Sequence, residues 1–366
     1  MKIRDSKLDL IRTIAILSVL LCHSIEAYYY LFQDKLVLWK LISFKSKFFD
    51  IFCFTIGRLG VPLFLFLTGI LCAKKTFSES KDIKKFYKKT YLPLLITFEI
   101  WIIIWNVFIY FLSKTGFEVP NICITDVLQN MILLKTVGFI LPAWYVPMIL
   151  GIYLFLPFIS NALNKYSIND IKIPLVVGII VSFVFPTLNV VNFFKFNFIT
   201  DLDVLLTGGV FCTYLVVGKY IYDGLLNSIK FKYILFLQII SFILCVLMQF
   251  YCLNHLIYYK LWYDNFFLFC ASLLLLEIIR RKVHFNNSTK KFEKVFKYFS
   301  CISFPTFLIH NMVQYLIYFY SSFMYKFNPF IRVIYMYTIS LIITIIIIEI
   351  LRKQKFLNKY LLRIKT

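Results

Sequence analysis

The sequence predicts an all-α, polytopic integral membrane protein of about ten transmembrane helices, both termini cytoplasmic, and three observations carry that prediction. Hydrophobic residues make up 61% of the 366 and charged residues only 16%, where a soluble domain carries about 25% charged residues. Apolar runs repeatedly reach about 20 residues, the length that crosses a bilayer. The basic residues sort unequally between alternate connecting loops, as they do in multi-pass proteins.

Taken in order, hydropathy places spans at 8–31, 48–73, 88–112, 142–163, 172–192, 203–222, 231–253, 262–279, 296–320 and 330–351. The first span follows Lys2, Arg4 and Lys7 as a signal sequence would. It is too long for such a sequence and lacks a small-residue cleavage site, so an uncleaved anchor is expected. A transmembrane domain over 1–351 is followed by a basic tail over 352–366, whose apolar residues recur at helical spacing among lysines and suit the inner membrane surface.

The net charge of +22 raises nucleic acid as a partner. With the N-terminus inside and residues at the span ends counted with the adjoining loops, 28 of the 40 Lys/Arg fall on the cytoplasmic side and 10 on the opposite side, while Arg12 and Arg58 lie deeper within spans. That asymmetry accounts for the charge without a polyanion, so the bilayer of the cytoplasmic membrane is the expected partner and nucleic acid is not. The clusters Lys74–Lys89 and Arg280–Lys297 read first as topology signals, and second as contacts for anionic lipid headgroups or a phosphate-bearing cosubstrate.

Nine cysteines are scattered, mostly inside spans, without a CxxC pair. They read as small apolar fillers, and neither a disulfide framework nor a metal site is expected. No phosphate-binding glycine loop, G-x-S-x-G elbow or HExxH pair occurs either.

What remains is a short set of polar residues at membrane depth, where an ionisable group costs at least about 2.5–3.5 kcal/mol at mid-bilayer. Arg12 and His23 are eleven positions apart, about three turns plus 20°, and so share one helical face with about 16 Å of rise between them. Arg12 then lies near the cytoplasmic boundary and His23 in the outer half. Glu26, three residues beyond His23, reads first as an interfacial carboxylate and second as a group orienting the imidazole. Arg58 lies among three glycines and Pro62 in the second span, backbone loosened as around a cavity. Its alternative is an ion pair with Glu99 of the third span. Trp144 and Tyr145, bracketed by Pro142 and Pro147, suit either substrate stacking or an aromatic belt. Ser303 and His310 place a second histidine in the ninth span.

These residues together resemble the signature of the acyltransferase-3 family of membrane acyltransferases. Lys7-Leu8-Asp9-Leu10-Ile11-Arg12, with ten residues before His23, resembles its R-x10-H motif; Val61-Pro62 with Phe64 to Gly69 resembles its second motif, Thr68 standing for the serine. Trp144-Tyr145 resembles the mid-chain aromatic motif, and Ser303 to His310 the late Ser-Phe-x-x-aliphatic-x-His element. The resemblance runs over about residues 7 to 310 and implies transfer of an acyl group, usually acetyl from acetyl-CoA, to a hydroxyl of a cell-envelope glycan. No bound cofactor is expected; acyl-CoA is a cosubstrate and the glycan an acceptor. A hydroxyl nucleophile needs a base, and a neutral histidine suits that task. His23 is assigned the base, Arg58 oxyanion or donor contact, Arg12 the donor, and His310 positioning. Because some members carry an extracytoplasmic hydrolase-like domain, the resemblance leaves two routes open: this chain finishes the transfer itself, or it hands the acyl group to a separate extracytoplasmic transferase. A transporter is the rival class, since polar residues beside kinked helices also line transport paths.

Overall fold

The structure, a computed structural model, describes residues 4–28, 40, 42–115, 124–131, 144–190, 210–286 and 289–364. Among them every regular element is helical. In chain order these are α1 (Ser6–Tyr28), α2 (Phe44–Arg58), α3 (Gly60–Ala73), α4 (Ser80–Phe86), α5 (Leu92–Lys114), α6 (Ile124–Met131), α7 (Tyr145–Lys165), α8 (Ile168–Ile179), α9 (Phe185–Val190), α10 (Val210–Tyr222), α11 (Phe231–Asn254), α12 (Phe266–Lys282), α13 (Lys290–Tyr320), α14 (Pro329–Arg352) and α15 (Lys355–Leu357).

Among the described residues, seven helical runs are long and apolar enough to cross a membrane: Ser6–Glu26, Phe44–Ala73, Ser80–Lys114, Tyr145–Lys165, Ile168–Val190, Phe231–Asn254 and Pro329–Arg352. The other three expected spans fall on α10, α12 and α13. Only 13 residues of α10 are described, and its window's first residues, 203–209, lie outside the described set, as do Pro142 and Ala143. The 17 residues of α12 end in Arg280, Arg281 and Lys282, and the first turns of α13 are lysine-rich.

Two compact units divide the chain. The first comprises Met1–Lys75, Ala162–Ser300 and Asn328–Ile334. Its helices begin where the sequence supplies caps: Ser43 Oγ accepts from Ser46 N at 3.3 Å at the start of α2, and Asn265 Oδ1 accepts from Leu268 N at 2.9 Å at the start of α12. The second span is divided at Leu59, whose N–H turns to Ile56 O at 3.2 Å. Pro62 has no N–H to return to the Arg58 carbonyl, so the loosening expected there is a joint between α2 and α3.

Glycine sets how closely these helices approach. A Cβ on Gly57 would meet Cys22 Cα at 2.7 Å, and one on Gly60 would meet Ala15 O at 2.6 Å. On the other side of α3, Gly69 rests against the Leu215 carbonyl, and Gly218 of α10 leaves only 2.6 Å between a Cβ and Phe66 Cα. Small residues let backbones touch, the usual device where the surrounding lipid is as apolar as the side chains. Around this contact Phe66, Phe183 and Phe269 each meet the Tyr214 ring edge-on, and Phe183 and Phe269 pack tilted at 33° with ring centroids 4.4 Å apart.

The second unit comprises Thr76–Asn161, Cys301–Phe327 and Tyr335–Thr366. Asn161 exchanges two hydrogen bonds with the Phe77 main chain, at 3.1 and 2.9 Å, and Tyr87 donates to Leu154 O at 2.6 Å. The basic tail folds onto α5, where Trp101 Nε1 donates to Leu361 O at 3.0 Å and Leu362 is fully buried. Its apolar spacing therefore serves packing within this unit.

Candidate active site

The glycine contacts fix an antiparallel register in which Gly57 faces Cys22 and Gly60 faces the Ala15–Val19 turn. That register puts Arg58 of α2 and His23 of α1 within about 3 Å of helix rise of each other. The sequence motifs thus meet because glycine lets the two helices close.

At the His23 level, Nδ1 lies 2.8 Å from Glu26 Oε2. A carboxylate only accepts, so Nδ1 carries a proton and, in the neutral form of the ring, the lone pair is on Nε2. Of the two readings of Glu26, the geometry realises the one in which it orients the imidazole. The other carboxylate oxygen, Oε1, accepts from Lys260 Nζ at 3.2 Å. His23, Glu26 and Lys260 form a chain in which a cation braces the carboxylate that fixes the histidine tautomer.

Lys260 belongs to the connection between α11 and α12, residues 255–265, which is held by its backbone. Gln249 donates to Tyr259 O and accepts from Leu261 N, both at 2.7 Å, and Tyr214 donates to Tyr263 O at 2.8 Å. Arg58, only 3% exposed, donates from Nε to Leu261 O at 2.5 Å and from Nη1 to the Tyr263 hydroxyl at 3.1 Å. Its guanidinium lies 4.6 Å from the Tyr263 ring centroid and 4.9 Å from that of Trp262. Nη2 is buried and has no oxygen acceptor among the described residues. Burial raises the Tyr259 phenol above its ordinary value, so at neutral pH it stays neutral and accepts from Asn265 Nδ2 at 3.2 Å.

At the other end of α1, Arg12 Nη1 donates to Ser300 Oγ at 3.1 Å, and Ser300 Oγ donates to Asp9 Oδ1 at 2.6 Å. Arg4 grips the same carboxylate with two bonds of 2.6 and 2.7 Å. Arg12 is thus steered through a serine by a buried acid.

The second unit holds the remaining candidates. His310, fully buried in α13, donates from Nδ1 to Thr306 O at 2.9 Å, which again leaves the lone pair on Nε2. Tyr145 packs on Phe307 at 5.1 Å and Phe307 lies 6.1 Å from the His310 ring, while Trp144 meets Tyr145 edge-on at 5.9 Å. Ser303 is buried one to two turns before His310. Glu99 of α5 is half-buried beside buried Phe98 and Trp101. The structure brings His23, Glu26 and Arg58 together in one unit, and Tyr145 with His310 in the other.

Sequence reading did not find Lys260, Tyr263, Ser300 or Gln249. Asp9 stood inside a quoted motif without a role. Lys260 carried one available signal, as the lone basic residue of its loop.

A family model for an acyltransferase domain of the acyltransferase-3 type matches residues 5–349, nearly the whole chain. No curated protein and no solved structure matches.

Proposed function

This chain belongs to the acyltransferase-3 family, and from that premise we propose that it moves an acyl group, acetyl from acetyl-CoA, to a hydroxyl of a cell-envelope polysaccharide or its lipid-linked precursor. The single observation that carries the mechanism is the His23–Glu26 hydrogen bond with Lys260 behind it. A hydroxyl becomes a competent nucleophile only as it loses its proton. Nε2 of His23 takes that proton while the hydroxyl oxygen bonds to the thioester carbonyl carbon. The C–S bond then breaks, and the proton held by the imidazole passes to the departing thiolate. Negative charge collects on the carbonyl oxygen between these steps. Arg58, pinned by Leu261 and Tyr263 with Nη2 left over, is a fixed donor for it. Arg12 binds the donor at the other end of α1.

The test is transfer of label from acetyl-CoA to envelope glycan by the purified full-length protein in lipid. We expect His23→Ala to lower it by roughly 10²–10⁴-fold. Undiminished transfer by that variant overturns the assignment of the base. A glycan that crosses the bilayer without acyl-donor binding instead supports a transporter.

A further inference from the structure

The end of unit one opposite His23 contains a cavity that the mechanism leaves unused. The N-terminal turn of α1 and the C-terminal turns of α3 and α10 meet here: Tyr222 donates to Asp5, and Lys74 Nζ lies 3.7 Å from the Asp5 carboxylate. The cavity has a volume of 220 Å³, and Lys74, Lys219, Tyr222, Asp223 and Asn164 supply its polar wall. Lys74 is the first residue of a basic cluster for which the sequence offered two readings, topology signal or phosphate contact.

Charge and hydrogen-bond supply favour the second reading for Lys74. Its ammonium is beyond hydrogen-bond length from Asp5 and otherwise faces the Tyr222 ring at 5.1 Å, so its three N–H donors have no oxygen within bonding distance among the described residues. Lys219, its side chain only 13% exposed, pairs with Asp223 at 3.1 Å and lies 4.0 Å from the Tyr220 ring centroid. Two ammonium groups thus line one small cavity, each held in place by a single carboxylate. The Lys74 side chain is 44% exposed and that of Asp223 56%, so the cavity is open to a ligand arriving from solvent. A phosphate group brings several acceptor oxygens and negative charge to both at once.

We propose that this cavity is a phosphate-binding site, in which Lys74 and Lys219 hold a phosphate of the acyl donor. The inference rests on the acyl-CoA reading above. From Asp5 to His23 the rise is about 27 Å, so a ligand anchored here must carry its acyl group on a long arm, as acyl-CoA does. An anionic lipid headgroup offers the same phosphate chemistry, and the experiment separates the two sources.

Full-length protein in phosphatidylcholine nanodiscs, with and without phosphatidylglycerol, is titrated with radiolabelled acetyl-CoA, and native mass spectrometry counts retained phosphatidylglycerol. Lys219→Gln and Lys74→Gln are each expected to weaken acetyl-CoA binding by roughly tenfold, while Lys219→Arg and Lys74→Arg retain it. Loss of phosphatidylglycerol retention in the glutamine variants, with acetyl-CoA binding intact, supports the phosphate site and assigns it to the lipid. Unchanged binding of both ligands in monodisperse glutamine variants overturns the site and leaves the acyltransferase reading standing. Failure of the wild-type protein to bind acetyl-CoA overturns the donor reading instead, and the lipid measurement still decides the cavity. If a glutamine variant does not fold, amine acetylation of the wild-type protein read by peptide mass spectrometry decides: protection of Lys74 and Lys219 by saturating acetyl-CoA or phosphatidylglycerol supports the site and its absence overturns it.

Discussion

At the scale of single residues, the hydrogen bond from His23 to Glu26 makes a prediction that a merely structural histidine does not. Glu26→Gln keeps size and polarity but offers the ring an amide that can donate as well as accept, so the tautomer is no longer fixed. Turnover is expected to fall at least about tenfold while acetyl-CoA binding holds, which a comparison of kcat with a direct binding measurement checks; a parallel loss of binding refutes it. Lys260→Met removes the brace on Glu26 Oε1, and a shift in the pH profile of turnover relative to the wild type is the expected outcome. The Arg12/His23 spacing was legible because helical geometry is periodic, and Glu26 because it lies on the same face. Lys260 was not, since 234 residues separate it from Glu26. The Leu261 carbonyl that receives Arg58 has no side-chain signature at all.

At the scale of elements, the glycine contacts are the joints that hold α1, α3 and α10. Gly218→Val or Gly69→Val must push backbone against backbone, and overpacking of this kind costs about 1–3 kcal/mol. A lowered midpoint in a thermal size-exclusion assay is expected for both. Gly151→Ala is the control: nothing lies within 4 Å of a Cβ there, and since alanine suits a helix interior better than glycine its midpoint should hold or rise. The helices were legible one by one from hydropathy, and the break near Pro62 was legible as loosened backbone. Which glycine meets which backbone was not, because contact between distant segments leaves no periodicity in either. The same limit applied to the tail, where an amphipathic pattern fits a membrane surface and the flank of α5 equally well.

At the scale of the whole molecule, composition alone placed the chain in a bilayer, and the seven long apolar helices agree with it. The sidedness read from lysine and arginine predicts that cysteines introduced at Ser80 and Thr366 of a cysteine-free variant react with an impermeant maleimide only after the membrane is opened. One introduced at Tyr258 should react in intact cells, and the reverse pattern inverts the topology. Residues 255–265 carry one further consequence. Gln249, Tyr214 and Arg58 Nε all grip this segment by its main chain, at Tyr259, Leu261 and Tyr263, while the side chains of Ile257 and Tyr258 are exposed. Placement and presentation are thereby separated: evolution can rewrite what this segment shows to a passing molecule without dislodging the scaffold beneath it. A selection for altered acceptor preference should gather its first mutations at 257 and 258, and leave Gln249 and Trp262 untouched.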